Sequence, residues 1–264
     1  MKGFLIDNSK CIGCRACMVA CKQWNNLTAS KPVFFSGPGY QNPRDLDANN
    51  FTLITYNELE TGGRMNWVFG NRRCMHCNDP GCASACPVKA LEKTPEGAVY
   101  WNAWKCIGCR YCMFACPYHI PTFEWRSANP EIRKCTMCYD RMKVGMVPSC
   151  AKVCPTGAIL FGERADLVAE AESRLRNNPS AYVHQIYGKD EVGGTCVLIL
   201  SEAPFDQLGY PTDLPKRSLP SYTAQAMEAI PGVVVGLGLV LGITYKLINR
   251  RGEVAAAGEK GGRA

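Results

Sequence analysis

Sixteen of the seventeen cysteines in this 264-residue chain lie between Cys11 and Cys154, in four groups of four. Group one is Cys11, Cys14, Cys17 and Cys21, spaced C-x2-C-x2-C-x3-C. Group two is Cys74, Cys77, Cys82 and Cys86, spaced C-x2-C-x4-C-x3-C. Group three, Cys106, Cys109, Cys112 and Cys116, repeats the spacing of group one, and CIGCRYC at 106–112 is nearly the peptide CIGCRAC at 11–17. Group four is Cys135, Cys138, Cys150 and Cys154, with eleven residues between its second and third cysteines. Disulfide scaffolds reach such density only in short secreted chains. This chain is long and opens MKGFLIDNSKC, without an apolar stretch or cleavage site. The thiols therefore point to metal ligation.

The spacing narrows the metal. A [4Fe-4S] cube takes four thiolates, and a C-x2-C-x2-C loop turns three sulfurs towards one cube. The fourth cysteine, on the following helical turn, points to the other cube of a pair. Proline after the fourth cysteine belongs to that pattern and occurs at Pro87, Pro117 and Pro155; group one has Lys22 there. Gly13, Gly108, Ala16 and Ala20 are small enough to let backbone approach a cube. The rival is a membrane-anchored zinc scaffold, since structural zinc also takes four thiolates. Zinc accounts for groups two and four in isolation. It does not account for the tight third cysteine of groups one and three, or for the prolines. No C-x-x-C-H occurs, so attached c-type haem is excluded by motif. Cys196 stands apart in an apolar run and reads as a small core residue.

Charge bears on partners. The formal net charge is +7. That figure counts the cysteines as neutral, and each oxidised cluster with its four thiolates adds about −2. Four clusters bring the balance to about −1, which removes the main support for a nucleic-acid partner. Of the three histidines, His76 sits between two ligands and reads as a neighbour of the ligand shell or a surface residue; His119 and His184 carry no motif. Lys105, Arg133 and Lys134 adjoin first ligands, where their charge can tune a potential or simply be solvated. No Ser-His-Asp set, phosphate loop or paired carboxylate stands out, so no catalytic residue is expected.

Between the groups, Ser36 to Asn50 is rich in Asn, Gly and Pro. Phe51–Tyr56 and Met65–Phe69 read as a β-hairpin across Thr61-Gly62-Gly63. Pro117–Arg133 reads as a loop. Asp166–Asn178 reads as a helix with Leu167, Val168, Ala171 and Leu175 on one stripe and Pro179 as its stop. Cys196–Leu200 reads as a short buried strand. Ala229–Tyr245 is seventeen uncharged residues, and with Leu247 and Ile248 it reaches twenty positions, about a bilayer core in length. A buried core helix is the alternative. Gly236, Gly238 and Gly242 suit a membrane helix, and Lys246, Arg250, Arg251, Lys260 and Arg263 follow it, which puts the C-terminus in the cytoplasm by the positive-inside rule.

RCMHCNDPGCASACP at 73–87, CIGCRYCMFACPYHIP at 106–121, KCTMCYDRMKVGMVPSCAKVCPTGAILFG at 134–162 and YGKDEVGGTCVLILS at 187–201 carry a resemblance. They resemble the four-cluster ferredoxin subunit of molybdopterin oxidoreductases, above all the beta subunit of membrane-bound formate dehydrogenase. They are similar almost as much to the iron–sulfur subunit of quinone-linked periplasmic nickel–iron hydrogenase. The start of the sequence without a signal favours the first. The resemblance implies crossed ligation. Cluster one would take Cys11, Cys14, Cys17 and Cys154. Cluster two would take Cys21, Cys135, Cys138 and Cys150. Cluster three would take Cys74, Cys77, Cys82 and Cys116. Cluster four would take Cys86, Cys106, Cys109 and Cys112. Cys109 is present, so the three-iron variant of some relatives is not expected.

The expected fold is α+β: two pseudo-symmetric bis-[4Fe-4S] ferredoxin-like halves, a β-hairpin insertion and one C-terminal transmembrane helix. Residues 1–73 plus 134–215 would hold groups one and four, and 74–133 would be an inserted half with groups two and three. Residues 216–228 would link to a transmembrane helix at 229–248 and a cytoplasmic tail at 249–264. The resemblance implies a non-catalytic subunit relaying single electrons through four [4Fe-4S] clusters. They would enter from a molybdenum or tungsten pterin subunit, or from a nickel–iron hydrogenase, and leave towards a membrane cytochrome b or quinone-binding subunit. The expected place is the bacterial inner membrane, spanned once, with the iron–sulfur domain periplasmic.

Overall fold

A computed structural model of the protein describes residues 1–33, 40–61, 63–125, 127–128 and 130–261. Part of the Asn-, Gly- and Pro-rich stretch from Ser36, Gly62 of the expected turn, and residues 262–264 of the tail, with Arg263, lie outside them. In chain order the elements are β1 (Lys2–Asp7), α1 (Ala16–Trp24), β2 (Thr52–Thr61), β3 (Arg64–Arg73), α2 (Gly81–Ser84), β4 (Leu91–Lys93), β5 (Val99–Trp101), α3 (Tyr111–Phe114), β6 (Thr122–Phe123), β7 (Ile132–Arg133), α4 (Tyr139–Lys143), α5 (Ser149–Lys152), β8 (Ile159–Glu163), α6 (Arg164–Asn177), β9 (Val197–Leu200) and α7 (Ala224–Gly261).

Side chains alternate across a strand, and β1 uses both of its faces. It is the middle strand of a three-stranded sheet, antiparallel to β8 (Leu5 opposite Leu160) and parallel to β9 (Leu5 opposite Leu198). Leu5, Leu198 and Leu200 turn to one side and pack with Leu167 and Ala171 of α6. Phe4, Ile6, Val197 and Ile199 turn to the other and join the main core, which contains most of the buried cysteines. Both faces of the sheet are therefore covered, which is why β9 is apolar at every position. The α6 stripe is the one the periodicity predicts: Leu167 and Ala171 are buried, and Val168 and Leu175 pack beside them.

The expected hairpin is present and longer than its apolar stretch. β2 and β3 pair over ten positions, with Tyr56 opposite Phe69 and Glu60 opposite Met65. Its far end is exposed at Met65 and Trp67, while its near end delivers Leu53, Ile54 and Val68 to the core. Pro117–Arg133 is not loop throughout. Thr122–Phe123 pairs with Ile132–Arg133, and a two-residue strand is too short to leave a periodic signature.

Met1–Pro220 form one compact unit, and Ser221–Ala264 a second. Within the second, α7 starts five residues before the apolar run, carries Pro231 inside it, and continues past Arg250 and Arg251. Residues 224–252 are long and apolar enough to cross a membrane, and none of that apolar window is buried, against the core-helix alternative.

One charged group anchors α6 to the sheet. The Asp7 carboxylate is fully buried and accepts hydrogen bonds from Arg174 Nη1 at 2.7 Å, Tyr182 Oη at 2.9 Å and Ser9 N at 3.2 Å. Asp7→Ala leaves Arg174 with Glu170 alone and removes the cap of the Asn8–Lys10 turn, so it is expected to destabilise the protein by about 2 kcal/mol. The check is the shift in denaturant midpoint of the cluster-loaded protein, followed by its near-ultraviolet circular dichroism.

Candidate metal centres

Groups one and three have the same local build. A 3-10 turn, Asn8–Lys10 or Ala103–Lys105, is capped by the side chain of Asp7 or Asn102 and ends at the first cysteine. Gly13 (φ +65°) and Gly108 (φ +69°) then turn the chain in the left-handed region, which glycine enters without strain. Arg15 and Arg110 also have positive φ and precede α1 and α3, whose first turns carry Cys17 and Cys112. Groups two and four share another build. His76 (φ +48°) and Met137 (φ +58°) kink the loop, and Pro80 and Pro148 lead into α2 and α5, which carry Cys82 and Cys150.

Tertiary folding then sorts the cysteines across the groups. Cys11, Cys14, Cys17 and Cys154 line one space together with Ile6, Ile54 and Pro155. Cys21, Cys135, Cys138 and Cys150 line a second with Phe4, Phe51 and Arg73. Cys86, Cys106, Cys109 and Cys112 line another with Leu91, Trp101 and Ile132. Cys77 has Cys74, Cys116 and Cys82 as its electrostatic neighbours. Zinc would hold four sulfurs about 2.3 Å from a single point. Among the described residues no three His, Cys, Asp or Glu side chains close tightly enough for one ion. The donor chemistry, four cysteines lining each of three shared spaces, fits a multi-iron cluster.

The sets also follow one another. Cys17 of the first lies in electrostatic reach of Cys150 in the second, Cys135 of the second in reach of Cys74, and Cys112 in reach of Cys82. All four cysteines of the second set are buried, whereas Cys14 is exposed and Cys86, Cys106 and Cys109 are half-buried. The line therefore has a dry middle and two ends nearer the surface. Burial pushes the thiols of Cys17, Cys82, Cys112 and Cys135 up to about 12, so as free thiols they are protonated at neutral pH. Ligands must be thiolates, so iron has to displace those protons and replace lost hydration with its own positive charge.

Positive charge from the chain adds to this. Arg73, at the end of β3, is buried and donates from Nη2 to Cys150 Sγ at 3.0 Å. Lys134 is buried and donates to the carbonyls of Val99 and Cys135. Lys105 instead pairs with Glu92 at the surface, and Arg133 with Glu124 and Glu131. Sequence reasoning missed Arg73 although it adjoins Cys74, because its side chain serves a different set from its neighbour's. His76 is not a surface residue. Its Nδ1 accepts from Val99 N at 2.9 Å, and burial, then Lys134, Lys93 and Arg73, hold its pKa well below the usual range. It is therefore neutral with its proton on Nε2, a shell residue rather than a ligand. His119 and His184 are exposed. Cys196 is fully buried, belongs to none of the four sets, and accepts from Lys93 Nζ at 3.2 Å.

The fold and its line of sulfur-walled spaces define an iron–sulfur electron carrier of the multi-cluster ferredoxin class. The 4Fe-4S dicluster domain family matches the chain twice, over residues 10–90 and 65–164. A protein of Nitratidesulfovibrio vulgaris is 42% identical over 255 residues, covering 96% of this chain and 68% of that protein. The iron–sulfur subunit of the nitrate-inducible formate dehydrogenase of Escherichia coli K12 is 40% identical over 215 residues, 79% of this chain and 72% of the relative. The hydrogenase-2 operon protein HybA of Escherichia coli O157:H7 is 32% identical over 298 residues, 94% of this chain and 84% of the relative. The chain belongs to this family of iron–sulfur electron-transfer subunits of formate dehydrogenase and hydrogenase complexes. Its cofactors are four [4Fe-4S] clusters.

The two glycine loops differ in one respect that can be measured. A Cβ on Gly13 would sit 2.7 Å from the Phe69 ring, whereas on Gly108 its nearest neighbour is Phe123 at 3.9 Å. Both alanine variants carry the left-handed backbone cost of about 1–2 kcal/mol, but only Gly13→Ala adds a clash. Iron and acid-labile sulfide per chain after anaerobic purification should fall clearly in Gly13→Ala and little in Gly108→Ala.

Proposed function

We propose that this chain relays electrons from a catalytic subunit holding a molybdenum or tungsten pterin, of the formate dehydrogenase type, to a membrane subunit that carries haem b or binds quinone. The observation that carries this reading is the line of four cysteine sets, each within electrostatic reach of the next, with both ends nearer the surface. When bound, the clusters supply one-electron chemistry. The chain's part is to hold them in order, keep water from the middle pair, and balance their charge. A second reading keeps the same relay in a hydrogenase complex. It is favoured by the 94% of this chain that the hydrogenase-2 operon protein covers, against 79% for the formate dehydrogenase subunit. Anaerobic purification of the native complex with a metal count separates them. Molybdenum or tungsten without nickel supports the first, and nickel without either supports the second.

The ligand sets follow the crossed pattern. Cys11, Cys14 and Cys17 take Cys154; Cys135, Cys138 and Cys150 take Cys21; Cys74, Cys77 and Cys82 take Cys116; Cys106, Cys109 and Cys112 take Cys86. The shared spaces described above support this assignment. It divides the first unit into a half of residues 1–73 plus 134–215 and an inserted half of 74–133, related by the repeated loop builds, with the β2–β3 hairpin as an addition to the first. Cys21→Ser and Cys150→Ser should each abolish the same electron paramagnetic resonance signal of the reduced protein. Cys17→Ser and Cys154→Ser should abolish a second one. Uncrossed ligation would pair Cys21 with Cys17 instead.

The apolar helix at 229–248 spans the inner membrane once, with residues 249–264 cytoplasmic and the iron–sulfur unit periplasmic. Its supports are the apolar span and the basic residues Lys246, Arg250 and Arg251 at one end. The expected linker at 216–228 is shorter than its bounds, since 216–220 belong to the first unit and 224–228 to α7, which leaves 221–223 between them. The chain should stay with membranes through a carbonate wash, and a version ending at Pro220 should be released. Green fluorescent protein fused after Ala264 should fluoresce, since it folds in the cytoplasm but not after export in unfolded form.

A further inference from the structure

Arg73 is 2% exposed and has no carboxylate: none of the ion pairs among the described residues includes it. Its guanidinium lies over the Phe4 ring, 4.6 Å from the centroid. Nη2 donates to Cys150 Sγ, while Nε and Nη1 are buried without a partner. A guanidinium has five N–H donors and cannot shed its proton. Buried unpaired, it is strongly destabilising unless anions face it. The groups that can face it as anions are the cysteine sulfurs. Arg73 lines the same space as Cys21, Cys135, Cys138 and Cys150.

We infer that Arg73 sets the potential of one link in the relay: its fixed charge and unpartnered N–H groups raise the reduction potential of the cluster held by Cys21, Cys135, Cys138 and Cys150. Reduction adds one electron, taken from the neighbouring cluster and later passed to the next. A fixed positive charge favours the more negative, reduced state, and N–H donors to sulfur act in the same direction. The dry surroundings of this set leave the charge poorly screened. Lys134, the other buried cation, spends donors on two backbone carbonyls, and neither outer set has a buried cation lining its space.

The inference rests on the ligand assignment proposed above, and the test separates the two. Full-length wild type, Arg73→Gln and Arg73→Lys are purified anaerobically with their membrane partners. Each is titrated potentiometrically with electron paramagnetic resonance detection, beside Cys150→Ser as the marker for this cluster. In Arg73→Gln the signal that Cys150→Ser abolishes should titrate at a lower potential and shift more than any other, with a smaller shift in the cluster that takes Cys17, which Arg73 also reaches, and Arg73→Lys should recover most of the shift. Loss of that one signal in Arg73→Gln, with iron retained and the potential near wild type in Arg73→Lys, also supports the role of charge. Four unmoved potentials in Arg73→Gln would overturn the inference, as would a shift confined to another cluster or loss of the signal in both Arg73 variants. If Cys21→Ser and Cys150→Ser abolish different signals, the ligand assignment fails, and the inference with it.

Discussion

Keeping negatively charged sulfur away from water is the constraint on which the rest of this molecule depends. A thiol in an apolar interior keeps its proton, and burial drives Cys17, Cys82, Cys112 and Cys135 far in that direction. An electron carrier needs the opposite, thiolates in a dry setting, because water around a cluster would add a reorganisation cost to every transfer. The conflict is met from two sides. Iron supplies positive charge from within each set, and the chain supplies it from without, through Arg73 at the second set and Lys134 beside the third. The basic excess of the sequence is in part this internal counter-charge.

The scaffold can be understood as support for those sets. The three-stranded sheet turns Phe4 and Ile6 towards the sulfurs and Leu5 towards α6, so one strand serves two cores. α6 is then held by Asp7, which also caps the turn leading to Cys11. A single carboxylate thus ties the outer helix to the first ligand loop. The β2–β3 hairpin acts similarly: Tyr56 donates to the Gly13 carbonyl and accepts from Arg15, fixing the loop between the first two cysteines.

Much of this was legible because it is local. Cysteine spacing fixes loop shape within a dozen residues, and both loop builds appear where the motifs put them. The stripe of α6, the paired halves of the hairpin and the uncharged run inside α7 are likewise periodic or compositional signals. What escaped is long-range. Arg73 adjoins Cys74 in sequence but serves Cys150, and only the end of β3 against α5 decides that. His76 reads as either a neighbour of the ligand shell or a surface residue, and only the return of β5, which covers it and gives Nδ1 the Val99 N–H, decides for the first. Thr122–Phe123 and Ile132–Arg133 pair through two positions each, too few to alternate visibly. The parallel pairing of β1 with β9 joins residues almost at opposite ends of the first unit, and no local pattern encodes such a partner.

That central position of β1 has a bearing on how the protein is built. The first strand to leave the ribosome cannot be sandwiched until β8 and β9 exist, so the sheet closes only after Leu200 has been made. Two of the sulfur-lined spaces have the same property, since they join cysteines near the start of the chain to others beyond Lys134. The other two draw their cysteines only from Cys74 to Cys116 and can gather their sulfurs much earlier. Topology thus divides the cofactor sites into an early pair and a late pair, and a chain interrupted between them is left with unfilled thiols at its beginning. Iron loading and completion of the fold are in this sense one event for half of the relay.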